Sequence, residues 1–136
     1  MATKQDVGLA IKQLQWTHHR ESNRRLTARA GLSLVQWDVL RRLRREPDAS
    51  LHALAEATFQ TDQSMGELAR RMIDRGLLRR VEGPGRAVRH QLTDSALEAY
   101  QAGSGILDEV LGETVGRLTA SERTTLLALL RKAQGD

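Results

Sequence analysis

Residues 51–78 of this chain read LHALAEATFQTDQSMGELARRMIDRGLL, and this stretch decides the fold. Its first part has leucine and alanine at helical spacing behind Ser50, a residue type that caps helices. A second helical pattern begins at Thr61 or Asp62 and stops at Gly76, a glycine placed as at a helix C-terminus. The few residues between the two patterns leave room only for a turn. The stretch therefore predicts two helices joined by a tight turn.

Two predicted strands follow the helix pair. Residues 77–82 and 87–92 are predicted to be short strands, and residues 83–85 between them are Gly-Pro-Gly, which is typical of a tight turn. Together they predict a β-hairpin with Arg86 at or near its tip. A helix-turn-helix followed by a two-stranded ribbon is a winged helix-turn-helix. We predict a mainly α fold built around this module.

Helical patterns flank the winged module on both sides. We divide the chain into an N-terminal helix (1–30), the winged helix-turn-helix (31–93) and C-terminal helices (94–136). The third part is predicted to hold one helix that runs to about Leu118 and another that starts at the capping box of Thr119. The apolar stripes of the first and third parts are too extensive to be buried on the winged domain alone. They predict dimerisation helices and hence a homodimer.

The net charge of +4 is unevenly distributed along the chain. Residues 20–45 contain eight arginines against two acids, and residues 70–90 contain seven arginines against two acids, which gives local net charges of +6 and +5. Residues 91–136 carry four basic and seven acidic side chains, a net charge of −3. A basic middle joined to an acidic end indicates a module that binds a polyanion. The alternative is a solvated, arginine-rich surface.

Several function classes find no support in the sequence. The chain has no cysteine, which excludes a disulfide scaffold and thiol chemistry. It has no serine–histidine–aspartate spacing and no phosphate-binding loop, so we expect no enzyme and no cofactor. His18 and His19 are neighbours that point in different directions on a helix, so we expect no metal site. The polar N-terminus and the lack of a long apolar run predict a cytoplasmic protein with no membrane segment.

The second helix of the pair is the candidate DNA-reading element, because the first helix only sets its angle. Glutamine can pair with adenine, and arginine can pair with guanine or with phosphate. Arg86, with Arg89 close by, is placed to follow the neighbouring minor groove, where the negative potential is high. The residues predicted to contact double-stranded DNA are Ser50, Gln63, Ser64, Gly66, Glu67, Arg70, Arg71, Arg86 and Arg89.

Three stretches carry a family resemblance: LSLVQWDVLRRL at 32–43, the helix-turn-helix stretch at 51–78, and RAVRHQLT at 86–93. Together with the closing ERTTLLALLRK, they resemble the MarR family of bacterial regulators over nearly the whole chain. The resemblance implies a homodimer of winged helices that binds two symmetric half-sites and regulates transcription. It also implies release from DNA by a small aromatic or phenolic effector.

Some residues depart from the family pattern. The recognition helix of the family usually carries a threonine and a basic residue where this chain has Gly66 and Glu67, and glutamate repels phosphate. The acidic residue that usually orients the wing arginine is replaced by Pro84, and the wing is shorter. These departures motivate an alternative, a ligand-binding or protein-interaction homologue of the same fold that has lost specific operator binding.

The effectors of this family bind at the seam between the dimer helices and the winged module. The resemblance therefore places the candidate ligand pocket at Trp16, His19, Arg20 and Trp37. A core or dimer-packing role for Trp16 is the competing interpretation. The arginine run within 41–45 also has two open interpretations, which are phosphate contacts or a solvated helix face.

Overall fold

The computed structural model describes residues 1–83, 85 and 88–136. Within these residues the chain forms six α-helices, a short 3-10 helix and a two-stranded antiparallel sheet. In chain order the elements are α1 (Lys4–Ala30), α2 (Leu34–Arg45), α3 (Leu51–Ala57), α4 (Asp62–Asp74), β1 (Leu78–Glu82), β2 (Val88–Leu92), α5 (Asp94–Gly112), the 3-10 helix (Val115–Arg117) and α6 (Ala120–Ala133).

All six described α-helices begin at a serine or threonine cap, and the caps of α3, α4 and α6 are those that the sequence predicts. In each case a hydroxyl oxygen accepts a hydrogen bond from the backbone N–H three residues further on, which satisfies one of the free donors of the first turn. The helix α1 ends at Gly31, which has the left-handed conformation with φ of 67°. The capping residues are Thr3, Ser33, Ser50, Thr61, Thr93 and Thr119.

The hydrophobic core lies where α2, α3 and α4 meet α5 and the end of α1. Leu26, Leu40 and Leu54 are fully buried there. The helix α4 buries the face that its helical spacing predicts, which includes Met65 and Met72. Since this face is anchored in the core, the opposite face of α4 points to solvent.

The strands β1 and β2 pair with Leu78 opposite Leu92 and with Glu82 opposite Val88. The strand β1 packs against α4, and β2 packs against α2. At the base of the ribbon, the N–H of Thr93 donates to the carbonyl of the residue before β1 at 3.2 Å. The ribbon is therefore joined to α2 and α4, the helices that precede and follow α3.

The predicted extent of the fifth helix differs from the observed one. We predicted a helix to about Leu118, but α5 ends at Gly112 and a separate 3-10 helix follows. The hydroxyl of Thr114 donates to the carbonyl oxygens of Val110 and Leu111 at 3.4 and 3.3 Å, and such side-chain bonds compete with the helical ladder. Glycine at 112 and 116 lowers helix propensity further.

Two surface ion pairs join α1 to α5 and to Glu113, the residue that follows it; Arg25 is half-buried and the other three side chains are exposed. Arg25 lies 2.6 Å from a carboxylate oxygen of Glu113, and Arg29 lies 2.5 Å from one of Glu109. Surface pairs of this kind add little stability, so we assign them an orienting role between the two helices. None of the described helices combines the length and the apolar character needed to cross a membrane.

Candidate nucleic-acid interface and adjoining cavity

The outward face of α4 is polar and open to solvent. Its exposed side chains are Gln63, Ser64, Glu67, Arg70, Arg71 and Asp74. Gly66 lies on the same face, and a Cβ added there would meet no heavy atom within 4 Å. The predicted DNA contacts of α4 therefore share one accessible helix face, the arrangement that a major groove admits.

The turn between α3 and α4 is closed by two backbone hydrogen bonds. The N–H of Gln60 donates to the carbonyl of Ala55 at 2.8 Å, and the N–H of Phe59 donates to the carbonyl of Glu56 at 3.3 Å. These bonds form a Schellman motif, in which the left-handed position is usually glycine. Here that position is Phe59, with φ of 58°. The motif holds α4 at a defined angle to α3.

A histidine also clamps α3 to the start of α4. His52 Nδ1 lies 2.8 Å from a carboxylate oxygen of Asp62, and its Nε2 lies 3.0 Å from one of Glu56. The hydrogen bond to Asp62 and the charges of both acids raise the pKa of His52 above its usual value. Sequence reasoning missed this contact, because His52 and Asp62 approach each other only after the turn has formed.

Arg75 ties the end of α4 to the junction between α1 and α2. Its guanidinium donates to the side-chain oxygen of Gln36 at 3.2 Å and also to the carbonyl of Gly31. Gln36 in turn completes the capping box of Ser33 at the start of α2. No local pattern in the sequence signals this contact, since the partners lie 39 and 44 residues away from Arg75.

The remaining predicted DNA contacts lie outside α4. Ser50 is half-buried, and its hydroxyl oxygen accepts the N–H of Ala53 at 3.1 Å, so its own hydrogen is available to a phosphate oxygen. Arg89 lies half-buried in β2, and its guanidinium donates to the carbonyl of Val88 at 3.1 Å. The prediction for Arg86 falls outside the described residues.

A cavity of about 630 Å³ lies between α1, α2, α5 and the α3–α4 turn. Two of the four residues predicted for the ligand pocket, His19 and Trp37, line it. Trp16 stacks on His19 with ring centroids 6.0 Å apart, but it is not among the lining residues. Arg20 is exposed and also lies outside the lining.

Aromatic rings form part of this cavity. Trp37 and Tyr100 stack with ring centroids 5.3 Å apart, and the indole N–H of Trp37 donates to the backbone carbonyl of Tyr100 at 3.1 Å. The ring of Phe59, from the α3–α4 turn, also lines the cavity. Rings arranged around a cavity of this volume suit a small aromatic molecule.

Titratable groups lie beside these rings. Burial raises the pKa of Asp38, against the opposing effect of the positive charge of Arg41. Burial lowers the pKa of His18, and the neighbouring His19 lowers it further. The cavity therefore offers hydrogen-bond donors and acceptors as well as apolar surface. Among the described residues, no group of three or more His, Cys, Asp or Glu side chains is placed to hold a metal ion.

Comparison with known proteins places this architecture in a family. The family model for the MarR family matches residues 30–87. The transcriptional regulator HosA of Escherichia coli O111:H- is 30% identical over 125 residues, which cover 90% of this chain and 93% of HosA. The chain belongs to the MarR family. This confirms the resemblance, and the chain is accordingly a MarR-family transcriptional regulator.

Solved structures of MarR-family proteins confirm the predicted winged-helix fold. A mutant MarR from E. coli complexed with operator DNA superimposes with a TM-score of 0.82 at 21% identity, over 93% of this chain and 92% of that one. Rv2887, a MarR family protein of Mycobacterium tuberculosis in complex with p-aminosalicylic acid, gives 0.76 at 23% identity, over 93% and 97% of the two chains. At these identities the likeness concerns the fold.

Proposed function

We propose that this MarR-family regulator binds a near-palindromic DNA operator in the cytoplasm as a homodimer, and that a small aromatic effector modulates the binding. The observation that carries the proposal is the outward face of α4, where Gln63, Arg70 and Arg71 are exposed while the other face is anchored in the core. A helix held in this way can enter the major groove. The operator complex of the related E. coli protein supports this use of the fold.

A second copy of the chain is the proposed cover of an apolar groove between α1 and α6. The groove has a volume of about 560 Å³ and is lined almost entirely by apolar side chains. Among them, Ile11 is 47% and Leu129 is 58% exposed, which is unfavourable for large apolar side chains in a lone monomer. We therefore assign residues 1–30 and 94–136 to dimerisation and residues 31–93 to DNA binding.

The cavity beside the α3–α4 turn is the proposed effector site. Its walls come from α1 and α5, which we assign to the dimerisation parts, and from α2 and the turn, which belong to the DNA-binding part. An occupant therefore contacts both parts and can bias their relative arrangement if it binds one arrangement better. The complex of Rv2887 with p-aminosalicylic acid supports an aromatic occupant.

Mobility-shift titration on genomic fragments selected by the wild-type protein tests the DNA-reading role of α4. We expect affinity to fall steeply with salt, because phosphate contacts release counterions. We expect Arg71→Ala to weaken binding by about tenfold, the usual order for one lost arginine contact. The matched control Arg131→Ala removes the same charge from α6 and should retain wild-type affinity. Equal affinities for both variants would show that Arg71 does not read DNA.

A second candidate function is a ligand-binding or protein-interaction homologue without a specific operator. It is favoured by Gly66 and Glu67, which put a bare backbone and a negative charge on the outward face of α4. The same titration at low salt separates the two candidates. A complex that resists competitor DNA excludes the second candidate, whereas saturable ligand binding with no such complex supports it.

A further inference from the structure

We propose that Phe59 forms an aromatic wall of the effector cavity, and that its contact with an occupant acts on the orientation of α4 through the α3–α4 turn. This inference rests on the proposed effector function of the cavity and names the residue that couples it to the DNA-reading helix. Phe59 is the single phenylalanine of the chain.

The backbone at Phe59 is unfavourable for a phenylalanine. Among the described residues it is the one non-glycine residue with positive φ, at 58°. The side chain of a bulky residue crowds its own backbone in this conformation, whereas glycine adopts it freely. Glycine would make the same two Schellman hydrogen bonds, since both use only the backbone. Local structure therefore gives no reason for a phenylalanine here.

Packing within the chain gives no reason either, because Phe59 is 95% exposed. The exposed apolar ring and the positive φ of the backbone are each unfavourable for the free protein. Strained residues of this kind occur at ligand clamps and switch regions, where the surrounding structure holds them in place. We infer that the ring serves a contact with another molecule.

The cavity identifies the chemistry of that molecule. Phe59 lines the same cavity as the stacked pair of Trp37 and Tyr100. An aromatic occupant can contact the ring of Phe59 and this stacked pair together, and covering the exposed ring is favourable in proportion to the apolar area removed from water. Arg41 and Asp38 line the cavity and also a second depression that Phe59 borders, so polar groups that could bind substituents of an aromatic occupant are close.

The turn connects this contact to α4. Only Gln60 and Thr61 separate Phe59 from Asp62, the first residue of α4. The N–H of Gln60 is bonded to the carbonyl of Ala55 in α3, so the backbone of the turn is held at both ends. A rotation about φ or ψ of Phe59 changes the direction in which α4 leaves α3. Switching elements commonly use a few such residues to absorb the change in backbone angle.

Three variants at this position separate the ring from the backbone. Phe59→Gly and Phe59→Asn remove the ring and suit the left-handed conformation, whereas Phe59→Tyr keeps the ring. The fluorescent probe 1-anilinonaphthalene-8-sulfonate reports occupation of the cavity, and p-aminosalicylate serves as its competitor. DNA affinity is measured for each dimer with and without p-aminosalicylate, and thermal unfolding is measured without either probe.

We expect Phe59→Gly to raise the Tm by about 3 °C through relief of backbone strain. We expect both ring-free variants to bind the fluorescent probe about fivefold more weakly, and to need about fivefold more p-aminosalicylate for release from DNA. Release is scored within each variant as the ratio of its DNA affinities with and without p-aminosalicylate, so a change in ligand-free affinity does not enter the comparison. Phe59→Tyr should restore wild-type binding of both probes.

Three results overturn the proposal. If the ring-free variants bind both probes as tightly as the wild type does, Phe59 does not contact the occupant of the cavity. The effector function of the cavity would not be refuted by that result. Ring-free variants that bind DNA more weakly without ligand, but keep the wild-type ratio of affinities with and without p-aminosalicylate, would instead assign Phe59 to the DNA interface. A wild-type protein that binds neither probe would refute the effector function and this inference with it. The DNA-reading role of α4 is tested independently by the Arg71→Ala variant.

Discussion

The backbone of Gly103 packs directly against the indole ring of Trp37. A Cβ at this position would lie 2.5 Å from Cδ1 and 2.8 Å from Nε1 of Trp37, and 3.1 Å from a methyl carbon of Leu26. The indole cannot easily withdraw, since it donates to the carbonyl of Tyr100 and stacks on its ring. At the scale of single residues, Gly103 therefore sets the close approach of α5 to α2.

We expect Gly103→Ala to lower the free energy of unfolding by about 2 kcal/mol, because the added methyl overpacks the site. The matched control is Gly105→Ala in the same helix, where a Cβ meets no heavy atom within 4 Å. The control should raise the free energy of unfolding by about 0.5–1 kcal/mol through helix propensity. Urea unfolding measures both values, and a Gly103→Ala variant as stable as the control would contradict the packing argument.

His52 predicts a pH dependence of stability. Its hydrogen bond to Asp62 raises its pKa in the folded state above the unfolded value, so the folded protein binds the proton more tightly. The stabilisation is complete below the unfolded pKa of about 6.5 and is lost as the pH rises through the folded pKa. We expect the Tm difference between wild type and His52→Ala to shrink from pH 6 to pH 9.

Comparison with His52→Ala cancels the opposite effect of His18 and His90, whose pKa values are lowered by burial. Asp62→Asn provides a direct control, because it removes the principal partner of His52. In an NMR titration, the pKa of His52 should fall toward its ordinary value in this variant. An unchanged pKa in Asp62→Asn would refute the clamp between α3 and α4.

Among the elements, α4 has one face packed in the core and one face exposed to solvent. Glycine inside a helix is unfavourable for the fold, yet Gly66 lies mid-helix with open space where a Cβ would be. A bare backbone at this position permits close approach of another molecule to the helix. That molecule is DNA under the first candidate function and another partner under the second, so a substitution at Gly66 tests between them.

We expect Gly66→Ala to raise the free energy of unfolding by about 1 kcal/mol, since the methyl meets no neighbour in the free protein. The same methyl should weaken DNA binding if α4 lies in the groove with this face inward. Gly105→Ala serves as the control, because it should gain stability without loss of DNA affinity. Unimpaired DNA binding by Gly66→Ala would place the reading face elsewhere on α4.

At the scale of the whole molecule, the groove between α1 and α6 predicts the oligomeric state. Leu14 is 43% exposed and lines the groove, while Leu9 on the same helix is 55% exposed and lies outside the lining. A glutamate at position 14 would bury a charge in an apolar interface, which is strongly unfavourable. The two leucines therefore make a matched pair for testing the dimer.

We expect Leu14→Glu to raise the dimer dissociation constant at least tenfold, roughly the effect of 1.4 kcal/mol. Leu9→Glu should leave the dimer intact. Sedimentation velocity over a concentration series measures both constants. Under the proposed function one dimer binds two half-sites, so the dissociated variant should also bind DNA more weakly. A dimeric Leu14→Glu variant would refute this groove as the interface.

The helices and strands and their order could be predicted from the sequence, whereas the end of α5 and the 3-10 helix after it could not. Ser50, Thr61 and Thr119 cap helices where the local pattern predicts them, and the apolar spacing of α4 identifies its buried and outward faces. Caps, turns and amphipathic faces are encoded within about four residues along the chain, so a linear reading finds them. The family resemblance rests on these same stretches, and family membership confirmed it.

Contacts between elements were decided only by the tertiary structure. The clamp of His52 on Asp62, the bonds of Arg75 to the α1–α2 junction and the fit of Gly103 against Trp37 join residues that are remote in sequence. The left-handed Phe59 could not be predicted either, because local preference places glycine there. Such contacts depend on how packed helices meet, which is a property of the assembled core rather than of any short segment.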